Sequence, residues 1–517
     1  MRALLLSMPD SFEHTPALTM RMPNGALASL AGNIGTRHSA AIADLILAQD
    51  CVAATVDRLL AEQQPQVVGL SVMTFQRRTA LRLVRRIRQR APRAMIVLGG
   101  YDPSLAPEAY DDPRLGIDFI VRGEGEHTFR ALLDALEDSR GVADIAGLSF
   151  RPLPDLPFQH GRSRPVQRLE NAPLELPNRA ARVLTGYTFL GRSIDIVETS
   201  RGCTYDCSFC SIIEMRGRNF HAIDVSRVIA DIADARRRGA RAIFLVDDNI
   251  TLNVARFEAL CAAIVDAGLN DIHYIVQAMT SSIASHGARL APLMRKAGFR
   301  YVFLGIENIL ESDLAFLRAS AKNAERKGGR QIGNASIRAI ELLHRHGMCV
   351  VGGIIVGNPE DTPESIEANL AFARKYVDWP YIQHPTPYPG TPMTDDFRRQ
   401  NLIVNTRVEE YDGTTAVVRT QHLGADDIEF MRWRAERWMK VRHLPSVLRH
   451  YPGFVLRNGP RMLSHTFRGS SWRSCVGLES SRDVFRRYKR LRSREREYVP
   501  ETGALPLSAG SDIATHA

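Results

Sequence analysis

The sequence is poor in cysteine and has no long apolar run. Seven cysteines in 517 residues are too few, and too unevenly placed, for the disulfide framework of a secreted domain. Cys51, Cys261, Cys349 and Cys475 lie far apart and read as buried thiols. No apolar stretch reaches the roughly 18 residues needed to span a bilayer. The opening run from Met1 to Pro9 is too short for a signal peptide, lacks a cleavage site and ends at Pro9-Asp10, so it reads as a first strand. A second C-x-x-C pair, as in common zinc sites, is also missing. What remains is ordinary globular composition, 44% apolar and 24% charged, with length enough for two or three domains.

The remaining three cysteines are packed into eight residues, Cys203-Thr204-Tyr205-Asp206-Cys207-Ser208-Phe209-Cys210, as C-x-x-x-C-x-x-C. Ser193 to Thr199 alternates like a strand, and Ser200-Arg201-Gly202 turns the chain, so the thiols fall on a loop at a strand's C-terminal end. Three such thiolates can hold three irons of a four-iron cluster and leave the fourth open to a ligand. Zinc and chance spacing are the alternatives. The pattern resembles the radical S-adenosylmethionine (SAM) superfamily, which usually carries an aromatic residue at the position of Phe209. That resemblance implies a 4Fe-4S cluster on Cys203, Cys207 and Cys210, whose open iron binds the amino and carboxylate groups of SAM and reduces it to a 5′-deoxyadenosyl radical. A reducing cytoplasm suits such a cluster.

Residues 1–145 read as a doubly wound, flavodoxin-like α/β unit. Strands are expected at Ala3–Leu6, Val52–Val56, Val67–Val72, Met95–Leu98 and Phe119–Val121, with helices at Ala40–Ala48, Thr79–Arg90 and His127–Leu136. Gly99, Gly100 and Gly123 serve a generic sheet as turn residues. Together with Ser71-Val72-Met73-Thr74 and Arg122-Gly123-Glu124-Gly125-Glu126, they resemble the cobalamin-binding domain joined to many radical SAM enzymes. The resemblance implies that small residues at the strand ends let a corrin approach, with Ser71 and Thr74 bonding its nucleotide tail. The D-x-H-x-x-G motif that supplies a lower cobalt ligand is absent, and His38 lacks the Asp two places before it. A fold that does not bind cobalamin is the alternative.

Residues 146–190, rich in proline and arginine, read as a linker. Residues 191–400 repeat strand and helix six times, matching the superfamily's partial (β/α)6 barrel, whose active groups sit at the C-terminal strand ends. Asp247 and Asp248 close the second strand, as helix caps or, by resemblance, on the SAM amino group. Gln277 ends the third and faces SAM or substrate; Glu307 ends the fourth, toward the SAM ribose or amino group. Gly353-Ile354-Ile355-Val356-Gly357-Asn358-Pro359-Glu360 matches the family's G-x-I-x-G-x-x-E, with Gly353 and Gly357 against adenine and Glu360 as a turn anchor. Tyr388-Pro389-Gly390-Thr391-Pro392 is a rigid turn that aims His384 and Tyr388, the candidates for substrate-lining or acid–base roles. The long polar segment from Ala319 to Gly333 is a lid or a solvated loop.

Net charge is +10. Residues 431–494 hold 17 Lys and Arg against three Asp and Glu, so the rest of the chain is mildly acidic. Residues 401–500 read as a basic, mainly helical region. It is a cap, a peripheral membrane contact or, ranked last, a nucleic-acid surface. Residues 501–517 read as a disordered tail. The reading as a whole is a cobalamin-dependent radical SAM methyltransferase acting on an unactivated carbon of a small molecule or lipid. It needs an electron donor such as flavodoxin or ferredoxin, and it works in the cytoplasm, with membrane association left open. Radical cyclisation or carbon–carbon coupling, and a non-catalytic iron–sulfur scaffold or sensor, are the rivals.

Overall fold

The computed structural model describes residues 1–499 except 14, 15, 167, 170–173, 328, 329 and 476; the expected tail lies outside the described residues. The first sheet contains β1 (Arg2–Ser7), β2 (Ser39–Asp44), β3 (Val67–Ser71), β4 (Met95–Gly99), β5 (Phe119–Val121), β6 (Leu148–Phe150) and β7 (Gln159–His160). Its order is β2-β1-β3-β4-β5-β6-β7, the first five parallel and the last two antiparallel. The 2-1-3-4-5 order is that of a flavodoxin-like sheet. Side chains alternate between two cores, as the strand period requires. Leu4, Leu6, Val68 and Leu70 pack with helices Val52–Gln63 and Arg77–Arg90. Ala3, Leu5, Val67 and Val97 pack with helices Gly25–Asn33 and Glu126–Glu137.

Two expectations change here. The helix expected at Ala40–Ala48 is the strand β2 followed by a 3-10 segment, and the strand expected at Val52–Val56 opens a helix. Both are short apolar runs, whose period alone does not separate a buried strand from a buried helix. Val52, Val56, Leu59 and Leu60 repeat at helical spacing once the window is extended. Part of the expected linker also belongs to the first sheet, because β6 and β7 fall within residues 146–190.

The second sheet carries β8 (Arg192–Val197), β9 (Ala242–Leu245), β10 (His273–Ala278), β11 (Phe299–Glu307), β12 (Cys349–Ile355) and β13 (Trp379–Gln383), in chain order and all parallel. Two-residue strands Thr188–Phe189 and Met20–Arg21 extend its β8 edge antiparallel. Helices between the strands close the outer core, making the expected half-barrel. Near the strand starts Tyr451 fills the inside, 6.2 Å from Tyr301 and 6.5 Å from Phe189. The segment expected as a lid or loop contains the antiparallel pair Ala324–Lys327 and Arg330–Asn334. Beyond the barrel lie helices Ala425–His450, Pro452–Thr466 and Ser481–Glu495. Among the described residues no helix is long and apolar enough to cross a membrane.

Candidate active site

The C-terminal end of β8 feeds the cysteine loop, and the carboxylates after β9 hold that loop. Asp247 is buried and accepts from the Thr199 amide at 2.7 Å and from the Thr199 and Ser200 hydroxyls, each at 2.5 Å. Burial pushes its carboxyl up to about 6 against those bonds. Asp248 accepts from the Gly202 amide at 2.7 Å and pairs with Arg216 at 3.1 Å. Gly202 has φ +88, and a Cβ there would meet the Asn219 carbonyl at 2.4 Å. Both aspartates therefore set the path of the loop, and of the two only Asp248 keeps an oxygen without a hydrogen bond among the described residues.

Cys207 is buried, and Cys203 and Cys210 are partly exposed. The Cys210 amide donates to the Cys207 carbonyl at 3.1 Å. Burial pushes both thiols up, Cys210 to about 12, and the neighbouring sulfurs add to it, while the Lys322 ammonium opposes. Thiols of this kind ionise when a metal displaces the proton. Among the described residues no three His, Cys, Asp or Glu side chains close on a single ion; a cluster instead takes each cysteine on a different iron. Lys322 pairs with Glu307 at 2.5 Å and lies 5.8 Å over the Phe209 ring. Glu307 itself stands at φ +59, a strained position for a residue with a side chain.

The other strand ends open on the same side, because all six strands are parallel. Gln277 is half-buried on β10. A Cβ at Gly353 would meet Phe303 at 2.8 Å. Gly357, at φ +102, donates its amide to Asp361 at 2.8 Å. Asp361, not the exposed Glu360, anchors this turn, since it also accepts from the Asn358 amide at 2.8 Å. His384 is buried, its Nδ1–H donates to the Val356 carbonyl at 3.0 Å, and Nε2 has no hydrogen-bond partner among the described residues. Burial, then Arg432, holds the imidazole down to about 4, so it is neutral at pH 7. Tyr388 donates to the Tyr411 carbonyl at 3.1 Å, packs in the cluster that contains Phe209 and Cys210, and is pushed up by burial.

Facing the cysteine loop are the C-terminal ends of β3, β4 and β5. A cavity of about 370 Å³ runs between them, lined by Ser71, Gly99, Gly100 and Gly123 on one side and Glu198, Arg201 and Arg216 on the other. Its inner part passes Leu5, Leu27, Val97 and Phe129, between the sheet and two helices. Gly100, at φ +99, has no room for a Cβ, which would meet the Val72 backbone at 2.8 Å. Thr74 departs from expectation: it is buried in the turn Thr74–Gln76 and does not line the cavity. Ser71 does, and accepts from Asn24 at 3.3 Å. None of the lining residues is a histidine.

Arg201 ties the two faces together, bonding Glu126 at 2.7 Å, Glu198 at 2.8 Å and Glu124 at 3.3 Å. Burial raises the Glu126 carboxyl, but Arg201 outweighs it and draws it down to about 2. Sequence reasoning missed Arg201, Lys322 and both glutamates as site residues. Arg201 and the glutamates were present only as a turn and a glycine-rich motif, whose partnership spans 75 residues, and Lys322 only as part of the polar segment from Ala319 to Gly333.

Residues 23–133 match the B12 binding domain family, and residues 197–373 match the radical SAM superfamily. The chain is a radical SAM enzyme with a B12-binding domain ahead of the barrel. An uncharacterized methyltransferase of Pyrococcus horikoshii is 26% identical over 90% of this chain and 99% of its own. The anaerobic magnesium-protoporphyrin IX monomethyl ester cyclase of Synechocystis sp. is 27% identical over 92% and 91%. The hopanoid C-3 methylase of Methylococcus capsulatus is 25% identical over 69% and 67%. Among solved structures, the methyltransferase TsrM from Kitasatospora setae, with cobalamin and a [4Fe-4S] cluster bound, superposes with TM-score 0.61 at 20% identity, covering 78% of this chain and 79% of that one. The cobalamin-dependent enzyme OxsB, with aqua-cobalamin and S-adenosylmethionine bound, does so with TM-score 0.65 at 15% identity, covering 96% and 76%. These two likenesses show a shared fold.

Proposed function

We propose that this enzyme methylates an unactivated carbon of a small molecule or lipid in a cobalamin-dependent reaction. The observation that carries the reading is the single cavity shared by the glycine-bearing edge of the first sheet and the cysteine-loop side of the barrel. The residues fit the groups. Gly99, Gly100 and Gly123 leave backbone open at the strand ends, and the apolar recess beneath suits a flat heteroaromatic tail, with Ser71 at its rim. Cys203, Cys207 and Cys210 suit a three-cysteine cluster with one open iron. By the family resemblance, Phe209, Asp247, Asp248, Gln277, Glu307, Gly353 and Gly357 are the residues that would hold SAM, and Asp247 also fixes the cysteine loop through Thr199 and Ser200. When bound, these groups together supply reductive SAM cleavage and methyl-transfer chemistry.

The chain's own side chains position and shield. Arg201 locks the two faces on either side of the cavity. Lys322 places a cation beside the thiols and fixes Glu307. His384, buried and neutral at pH 7, holds the Val356 carbonyl through its Nδ1–H and so fixes the end of the strand before Gly357. Thr204 and Asp206 are exposed on the cysteine loop, so a flavodoxin- or ferredoxin-like donor can approach there. An oxygen-sensitive cluster also suits a reducing cytoplasm.

The test is anaerobic reconstitution with iron, sulfide and hydroxocobalamin, followed by turnover with SAM labelled at its methyl group. We expect about one corrin and one four-iron cluster per chain, 5′-deoxyadenosine, and labelled methyl in the product. The triple variant C203A/C207A/C210A should lose the iron and the deoxyadenosine while keeping the corrin. Deoxyadenosine with an unlabelled, ring-closed product would instead support the cyclase reading, which the Synechocystis relative keeps in play. No deoxyadenosine from the iron-loaded protein would sink both.

A further inference from the structure

The basic C-terminal region divides into two parts. Arg482, Arg486, Arg487, Lys489 and Arg492 of the last helix are each ion-paired, with Asp427, Asp483, Glu479, Asp426 and Glu429 respectively. Arg468 pairs with Glu13, and Arg496 with Asp412. Part of the charge that the sequence concentrates there therefore holds the region to itself and to the rest of the protein. Arg442, Arg449, Arg457, Arg461 and Arg473 behave differently. All five are exposed, and among the described residues none makes an ion pair.

The same stretch carries large exposed apolar side chains: Trp438 at 64%, Leu456 at 78%, Leu463 at 46% and Trp472 at 71%. The Trp438 ring meets Phe467 at 6.3 Å, so helices Ala425–His450 and Pro452–Thr466 contribute to one face. Behind Leu463 a cavity of about 330 Å³ lies between these helices, lined chiefly by Trp379, Leu444, Val447, Val455 and Met462. On the flank of the second helix away from that cavity, next to exposed Leu456, the exposed Arg457 and Arg461 line a cleft in which Asp50 is the acidic residue, and they do not pair with it.

We propose that this face docks the enzyme on an anionic lipid surface. Unpaired arginines supply attraction to the headgroups, and tryptophan and leucine enter the headgroup–acyl boundary. Nucleic acid would use the arginines and the indoles, but it leaves the exposed leucines and the apolar cavity without a function. The face lies by the strand starts, as Trp379 opens β13 and Tyr451 plugs the inside there. The cysteine loop is at the opposite strand ends, so docking leaves the catalytic mouth free. The proposal stands independently of the methyl-transfer reading.

The experiment is cosedimentation of the full chain with vesicles of phosphatidylcholine alone and with phosphatidylglycerol added. We expect binding only when the anionic lipid is present, weakening as salt rises. The double variant R457Q/R461Q should bind about 25-fold more weakly, from about five-fold for each arginine at such a surface. L456S, on the apolar side, should weaken binding about ten-fold. R486Q, an arginine already paired with Asp483, should stay within about two-fold of the parent. Deoxyadenosine formation should be unchanged in all three, which shows that they fold. Equal binding to both vesicles, no binding to either, an R486Q loss as large as that of R457Q/R461Q, preferential capture of single-stranded RNA, or a stable dimer that removes Trp438 fluorescence quenching by solvent would each overturn the proposal.

Discussion

His384 sits at the end of the sixth barrel strand with one nitrogen committed and the other unpartnered among the described residues. Burial and the Arg432 guanidinium hold its pKa to about 4, below the ordinary 6.5. The unfolded chain therefore takes up the proton first as pH falls. The stability contributed by neutral His384 is whole above about pH 6.5 and is lost progressively toward pH 4, about 2 kcal/mol of it by pH 5. His384→Asn keeps a donor toward the Val356 carbonyl but cannot titrate. Urea unfolding at pH 7 and pH 5 should show that drop in the parent and lose about 2 kcal/mol of it in the variant. If the two proteins fall equally, the imidazole is not the group responsible. The same residue marks what one-dimensional reading can reach. His384 was visible as a mouth residue because it follows a strand, but its protonation state depends on Arg432, a helix away. The three cysteines could be singled out as candidates because they fall within eight residues.

At the scale of the element, the six barrel strands were readable because each is a buried apolar run ended by polar or glycine residues. The swapped assignment at residues 39–63 failed because two adjacent apolar runs compete, and the sheet, not the local period, decides which is the strand. Glycines at strand ends were readable as turns, and the structure separates them by what a side chain would meet. Gly100, at φ +99 and ψ −169, occupies a region that is essentially glycine-only, with the Val72 backbone 2.8 Å from a Cβ. Gly123, at φ +74, has nothing within 4 Å of a Cβ. Gly100→Ala should destabilise the protein by about 1–3 kcal/mol and lower the corrin retained after reconstitution about ten-fold. Gly123→Ala should cost about 1 kcal/mol and retain most of the corrin. Absorbance of the bound corrin after gel filtration, with thermal melts of both variants, separates the two positions. Equal retention would mean that the cavity edge at Gly100 does not carry the cofactor.

For the whole molecule, the decisive contacts are those that hold the first sheet against the barrel, and the sequence shows them least. Arg201 lies in the turn before the cysteines, and Glu124 and Glu126 lie in the first domain, about 75 residues earlier by the separation of Arg201 and Glu126. Because Glu126 is buried, its charge is tolerable only beside Arg201, which draws its carboxyl to about 2 from the ordinary 4.5. That contribution is present above about pH 4.5 and disappears as pH falls toward 2. Arg201→Gln leaves the buried Glu126 carboxylate without its cation and should cost about 3–5 kcal/mol at pH 7. Calorimetry should show the variant melting earlier, with the first domain released before the barrel. Arg201→Gln combined with Glu126→Gln should recover much of the loss, because the uncompensated charge at that position is gone. If the double variant is no more stable than the single one, the clamp works through packing rather than charge. The pairing of the two faces would then rest on the apolar lining of the cavity and on Gly25, whose missing Cβ makes room for Ile196 of the barrel.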